Sequence, residues 1–170
     1  LIGFKIGGLK LSLTIIANFL FITFTGVLPQ ALLSIYLCGI AVIISFILGS
    51  SLGIWAAHND KVSAFMRPIN DTMQTMPSFV ILIPFVMFFG IGEFTALLAI
   101  IAYAFVPAMR YTEHGLRNLP ETVIEAARMI GCSQTQLLWK VKIPLAMPVK
   151  MLGLNQTIVF ALFMVIIGAF

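Results

Sequence analysis

The sequence predicts an all-α, polytopic helical membrane protein, and its composition and its charge-free runs carry that prediction. Apolar residues make up 61% of the 170 residues and charged residues only 9%, against about 45–50% and about 25% in soluble domains. Mean hydropathy is +1.09. A core of this size could not hide so much apolar surface from water, which excludes a soluble enzyme, a disordered chain and a secreted disulfide scaffold.

The charge-free runs predict five membrane spans. Residues 11–59 would extend about 73 Å as one helix, roughly twice the bilayer core, so this run is expected to fold back at Gly26 and Pro29. The next run contains Pro77 and Pro84, which predicts a kinked or partly broken helix. The predicted spans are residues 11–28, 31–57, 72–92, 94–109 and 151–170.

The basic residues give an orientation that agrees with five spans. All ten Lys and Arg residues fall before the first span, between the second and third, or between the fourth and fifth. The opposite-side turns, near Pro29 and Glu93, contain none. The basic side is expected to be the cytoplasm, so the net charge of +4 is attributed to membrane orientation and not to nucleic-acid binding.

Both ends of the chain lie close to apolar runs. Lys5 and Lys10 precede an apolar segment without a small-residue cleavage site before Pro29. We therefore expect a retained first helix, with a cleaved signal peptide as the alternative. The chain stops at Phe170 inside an apolar run, which predicts that at least one further helix follows.

Residues 110–150 form the one long polar segment, and its first half predicts a helix that ends at a glycine. Pro120 and Glu121 suit the first helical turn. Gly131 suits the left-handed backbone conformation that often ends a helix. Between them, apolar residues recur at helical spacing and define one face. That face consists of Val123, Ala126, Ala127 and Ile130.

The second half of the segment predicts another short helix. Ser133 and Gln136 have the spacing of a capping box, and Pro144 and Pro148 are expected to end the helix before the last span. The two helices are interpreted either as an amphipathic pair on the lipid surface or as a docking element for a cytoplasmic partner.

The spacing in this segment resembles the EAA motif, which reads E-A-A, three residues, G, nine residues, I-x-L-P. Here Val replaces the motif's Ile and Ile replaces its Leu. The motif marks permease subunits of binding-protein-dependent ABC importers, and the resemblance implies a coupling helix that sits in a groove of the ATPase subunit. The implied coupling residues are Glu125, Ala126, Ala127, Gly131, Val141, Ile143 and Pro144.

Two further stretches resemble the permeases of glycine betaine/proline betaine (choline) importers. One is DTMQTMPSFV at residues 71–80 with LIP at 82–84, and the other is NQT at 155–157. The similarity extends from about Gly53 to Phe170, and Ile81 departs from an aromatic residue that relatives often carry. It implies a single transmembrane permease domain over residues 1–170, without its last core helix, in the bacterial plasma (inner) membrane.

The resemblance also implies partners and a function. The implied assembly is a permease homodimer with an ABC ATPase subunit and a substrate-binding protein, in a lipid bilayer and without nucleic acid. The sequence contains no P-loop, so ATP and Mg²⁺ are expected on the ATPase; no enzyme activity, cofactor or metal is expected in this chain. The implied function is ATP-driven import of quaternary ammonium osmolytes such as glycine betaine, proline betaine or choline.

Five uncharged polar residues within the spans are candidates for lining the transport pathway. Polar groups are costly in lipid, so they face a cavity or another helix, and hydrogen bonding between helices is the alternative interpretation. Their lack of formal charge suits a zwitterion or cation that must be released. The candidates are Gln74, Thr75, Asn155, Gln156 and Thr157.

Two other function classes agree less well with the sequence. A secondary, ion-coupled transporter of small solutes is the alternative function, although such proteins often show inverted repeats and intramembrane charges, which we do not find in this sequence. Residues 49–53 fit the G-x-S-x-G pattern of a hydrolase elbow, which needs a strand-to-helix turn. On a helix, Gly49 and Gly53 instead predict a G-x-x-x-G packing face.

Overall fold

The computed structural model describes the backbone of residues 2–168 and the side chains of residues 11–168. This part of the chain is helical and contains no β-strand, which confirms the all-α fold. The chain divides into two compact units, residues 1–36 and 37–170. The helices are α1 (Ile2–Phe24), α2 (Leu28–His58), α3 (Asp60–Thr75), α4 (Ser78–Phe89), α5 (Glu93–Arg117), α6 (Glu121–Met129), α7 (Gln134–Gln136), a π-helical segment (Leu137–Lys142) and α8 (Ile143–Gly168).

Three helical stretches are long and apolar enough to cross a membrane: Leu28–His58, Glu93–Arg117 and Gln134–Gly168. A fourth crossing is formed if α3 and α4, which are bent by 100° at a short break, count as one broken span. The segment Leu11–Phe24 is apolar but shorter. These lengths agree with a multi-pass membrane protein, and the count of five spans stays a prediction.

The break that the prolines predict in the 72–92 segment is present, but the helix before it begins earlier than the predicted span. The chain is helical from Asp60, leaves the helix at Met76 and begins α4 only after Pro77. A residue before proline avoids the helical region, and Met76 has an extended ψ of 137°. Pro77 therefore breaks this segment, whereas Pro84 lies inside α4.

The predicted loop at residues 110–150 is shorter than expected at both ends. The fourth predicted span was to end at Met109, but α5 continues to Arg117. Pro144 and Pro148 do not end a helix, because residues 134–168 are one continuous helical stretch. In the preceding π-helical segment the Ile143 N–H bonds to the Leu138 carbonyl, five residues back. This wider turn includes Lys140, four residues before Pro144, and so relieves the clash of that proline ring with the preceding turn.

Helices α2, α5 and α8 pack through small side chains. Their shared core contains Cys38, Ala41, Ala99, Ile100, Ala104, Ala161, Met164 and Val165. Small residues let helix backbones approach closely. A Cβ placed on Gly49 would lie 2.6 Å from the Phe105 carbonyl oxygen, and one on Gly53 would lie 2.6 Å from the Met109 oxygen. The predicted G-x-x-x-G packing face is confirmed, and α5 is the helix that it contacts.

Candidate functional site

The hairpin, residues 121–142, is held by short-range hydrogen bonds. Gly131 has a φ of +87°, and the N–H of Cys132 donates to the Ala127 carbonyl at 3.2 Å. These features end α6 with Gly131 in the left-handed conformation, as the sequence predicts. Ser133 and Gln136 form the predicted capping box, with the Gln136 N–H donating to Ser133 Oγ at 3.3 Å and the Ser133 N–H to Gln136 Oε1 at 3.0 Å.

One side of α6 packs on the rest of the hairpin and the other side is open. Ala127 is buried, and α6 contacts the π-helical segment, where Leu137 is also buried. Glu125 and Ala126 are exposed. The predicted apolar face is therefore only partly covered in the described chain, since Ile130 is 84% exposed.

The other candidate coupling residues lie along the second arm of the hairpin and its continuation. Val141 and Ile143 are half-buried and Pro144 is exposed. Met129, which the sequence analysis did not single out, is 90% exposed beside Ile130. The structure thus places five of the seven EAA-like residues on the hairpin and the other two, Ile143 and Pro144, at the start of α8; the hairpin tip presents two uncovered apolar side chains.

Two of the candidate pathway residues lie at the end of α3. Gln74 is half-buried and accepts a hydrogen bond from Nη1 of Arg110 on α5. Nη1 of Arg110 also lies 3.0 Å from Oδ1 of Asp71. Thr75 is exposed and donates to the Asp71 carbonyl of its own helix at 3.0 Å. Gln74 is therefore hydrogen-bonded to a charged residue of another helix. The surroundings of this pathway candidate are thus not uncharged, although its own side chain is.

The other three pathway candidates lie on α8 and differ in exposure. Asn155 is exposed, Gln156 is half-buried, and Thr157 is fully buried. The Thr157 hydroxyl donates to the Gly153 carbonyl one turn earlier at 2.8 Å. This bond satisfies the Thr157 side chain within its own helix. Of the two amide residues, Asn155 is the exposed one.

The sequence analysis missed a polar cluster at the end of α5. Glu113 Oε1 lies 3.0 Å from Nε of Arg117 and accepts a hydrogen bond from Oγ of Ser63 at 2.5 Å. The signal was the spacing of Arg110, Glu113 and Arg117, which lie three and four residues apart and share one helix face. A loop, which the sequence predicts for residues 110–150, has no such shared face.

Comparison with known proteins agrees with the EAA-like pattern. Residues 49–170 match the family described as "Binding-protein-dependent transport system inner membrane component". A trimethylamine N-oxide transport system permease protein of Pelagibacter ubique is 48% identical over 99% of this chain and 23% of its own length. A glycine betaine/proline betaine transport system permease protein of Escherichia coli is 38% identical over 99% of this chain and 48% of its own length.

A third relative extends the comparison to another bacterium. A glycine betaine transport system permease protein of Bacillus subtilis is 38% identical over 94% of this chain and 56% of its own length. The chain therefore spans about a quarter to about half of the relatives named here. The matched range covers the G-x-x-x-G face, the bent α3–α4 pair, the hairpin and the described part of α8. The chain belongs to the family of inner membrane components of binding-protein-dependent transport systems.

Proposed function

We propose that this chain forms part of the permease of an ATP-driven importer for small quaternary ammonium compounds. In this proposal α6 is the coupling helix that enters a groove of an ABC ATPase subunit, and a separate binding protein delivers the substrate. ATP and Mg²⁺ bind to the ATPase. The permease acts as a homodimer, with its basic loops in the cytoplasm.

The observation that carries the proposal is the open surface of the hairpin. Glu125 and Ala126 are exposed on α6, and Met129 and Ile130 are exposed at its end. Exposed apolar side chains rimmed by polar ones mark a surface that contacts another protein or a membrane, and the EAA-like spacing favours the protein. Gly131 and the capping box fix the shape of this surface, so it is preorganised for docking.

The substrate class is proposed from the names of the relatives. They are transport permeases for trimethylamine N-oxide, glycine betaine and proline betaine. These compounds share a nitrogen with four substituents and no N–H to donate, and a methylated ammonium group is recognised through cation–π contacts. The substrate cage is proposed to lie in the binding protein, while the permease provides a path with weak, mostly uncharged contacts.

The coupling role predicts that Glu125→Lys abolishes capture of the ATPase. The full-length permease is expressed together with the ABC ATPase subunit of the same importer and is purified through a tag on the permease. Reversal of an interface charge costs several kcal/mol, so we expect at least a tenfold loss of co-purified ATPase. Glu93→Lys makes the same charge change at the start of α5, where Glu93 is exposed, and should leave capture unchanged. Equal capture by Glu125→Lys and wild type would refute the coupling role.

The pathway role predicts that Asn155→Leu lowers uptake while the complex still assembles. The exposed amide is replaced by an apolar side chain, and loss of one polar contact is worth about 1 kcal/mol, so we expect a several-fold fall. Radiolabelled glycine betaine uptake into cells is measured at equal permease abundance. Asn155→Gln, which keeps the amide, should retain more activity. Unchanged uptake by Asn155→Leu would remove Asn155 from the pathway.

The energy source and the homodimer have their own test. Proteoliposomes containing the purified complex are assayed with the binding protein and either glycine betaine, trimethylamine N-oxide or choline. Uptake that needs ATP inside the vesicle supports the proposal, whereas uptake driven by an ion gradient without ATP supports a secondary transporter. The mass of the complex in detergent reports two permease chains or one.

A further inference from the structure

The end of α5 contains a carboxylate that is nearly enclosed. The Glu113 side chain is 10% exposed, and it accepts a hydrogen bond from Ser63 on α3 at 2.5 Å. The Nε of Arg117 lies 3.0 Å from the same carboxylate oxygen. A buried charge is retained at low cost only when it is paired and hydrogen-bonded, and Glu113 meets both conditions.

Arg117 extends this contact to a second helix. Its Nη2 donates to the Ala56 carbonyl in the last turn of α2 at 2.7 Å, and its Nη1 lies 2.8 Å from Oδ1 of Asp60 at the start of α3. One guanidinium therefore joins the last residue of α5 to both sides of the corner between α2 and α3. We call Glu113 and Arg117, with these contacts, the bracket.

The backbone beside this bracket is packed without free space. A Cβ on Gly53 of α2 would lie 2.8 Å from Thr112 Cβ and 3.2 Å from the Glu113 nitrogen on α5. Packed interfaces of this kind move as units and not by continuous deformation. The ends of α2 and α5 are therefore expected to shift together.

The bracket lies between the hairpin and the bend. Arg117 ends α5 and α6 begins at Glu121, so three residues separate the bracket from α6. In the other direction α3 runs from Asp60 to the 100° bend before α4, and Arg110 binds its last turns at Asp71 and Gln74. Helix α3 is thus tied to α5 near both of its ends.

We propose that Glu113 and Arg117 are positioning residues that carry a displacement of α6 to the α2–α3 corner and thereby to the α3–α4 bend. This inference rests on the proposed function, because it needs α6 to be moved by an ATPase. The bracket makes α5, the corner and α3 move as one body. Without it, α6 can still bind the ATPase, but its movement no longer passes from α5 to the α2–α3 corner and α3.

The test is the number of substrate molecules transported per ATP hydrolysed. Full-length permease carrying Glu113→Gln is reconstituted with the ATPase and binding protein, and uptake and hydrolysis are measured together. Glutamine keeps an acceptor for Ser63 but removes the charge beside Arg117. We expect normal co-purification of the ATPase and about a tenfold fall in transport per ATP, within the usual range of coupling between sites.

The matched control makes the same carboxylate-to-amide change away from these contacts. Glu93 is exposed at the other end of α5, so Glu93→Gln should transport at the wild-type ratio. Arg117→Lys, which keeps the charge but not the three-way geometry, provides a second variant if Glu113→Gln fails to fold. It should also lower the ratio.

The outcomes separate the two proposals. A wild-type complex that fails to bind the ATPase refutes the proposed function. If wild type binds and couples normally, the inference is overturned when the folded Glu113→Gln or Arg117→Lys complex transports as much substrate per ATP as wild type. This holds even if the variant is less stable. A lower ratio in a stable complex supports it.

Discussion

A Gly53→Val substitution should destabilise the folded permease by about 3 kcal/mol, at the upper end of the usual cost of overpacking. The first added carbon would lie 2.6 Å from the Met109 carbonyl oxygen and 2.8 Å from Thr112 Cβ. Both neighbours belong to α5, and a backbone oxygen cannot turn aside as a flexible side chain can. The helices must separate, which also removes contacts between their remaining small residues. Thermal unfolding of the full-length permease in detergent measures the loss.

The control for this prediction lies on the same helix. Gly39 of α2 is exposed and has no neighbouring heavy atom within 4 Å of a placed Cβ. Gly39→Val carries the same change in side-chain volume and helix propensity, so the difference between the two variants isolates the packing against α5. Equal unfolding temperatures for the two variants would contradict the close approach at Gly53.

Gly131→Val should reduce ATPase capture by the permease about tenfold. The residue has a φ of +87°, and a left-handed conformation costs an L-residue about 1–2 kcal/mol, with each 1.4 kcal/mol equal to a factor of about ten. A β-branched side chain is among the least suited to this region. The turn then opens and α6 loses its fixed angle to the second arm, while the spans remain folded.

Asparagine supplies the graded control for the turn. Gly131→Asn should capture more ATPase than Gly131→Val, because asparagine tolerates the left-handed region. Each variant is assayed by co-purification at equal permease abundance, with its unfolding temperature measured alongside. Capture that is equal to wild type in Gly131→Val would show that the geometry of this turn does not govern docking.

The hairpin could be predicted from the sequence because its determinants are local. The bond that closes α6 joins Cys132 to Ala127, and the capping box joins Ser133 to Gln136. Such contacts depend on residues a few positions apart and on the conformational freedom of one glycine. The G-x-x-x-G face was predictable for the same reason, although its partner helix was not.

The polar contacts of α5 could not be predicted in the same way. Arg110 meets Gln74 across 36 residues of sequence, and Glu113 meets Ser63 across 50. These pairs exist only because α3 and α5 pack side by side, and no periodicity within either helix specifies that. The expectation for Pro144 was wrong for a related reason, since a π-helical turn, which has no simple sequence signature, precedes it and lets the helix continue. Pro148 lies inside α8, and the structure gives no comparable reason for its tolerance.

The continuous helix over residues 134–168 also acts as a spacer of fixed length. Its 35 residues have a contour of about 52 Å at 1.5 Å per residue, whereas the hydrocarbon core of a bilayer is about 30 Å thick. The helix is therefore about 20 Å longer than the hydrocarbon core, and such an excess is accommodated by tilting or by extending into the headgroup region. Because the second arm of the hairpin is the start of this helix, a bilayer thickness that alters the tilt would also move the hairpin tip.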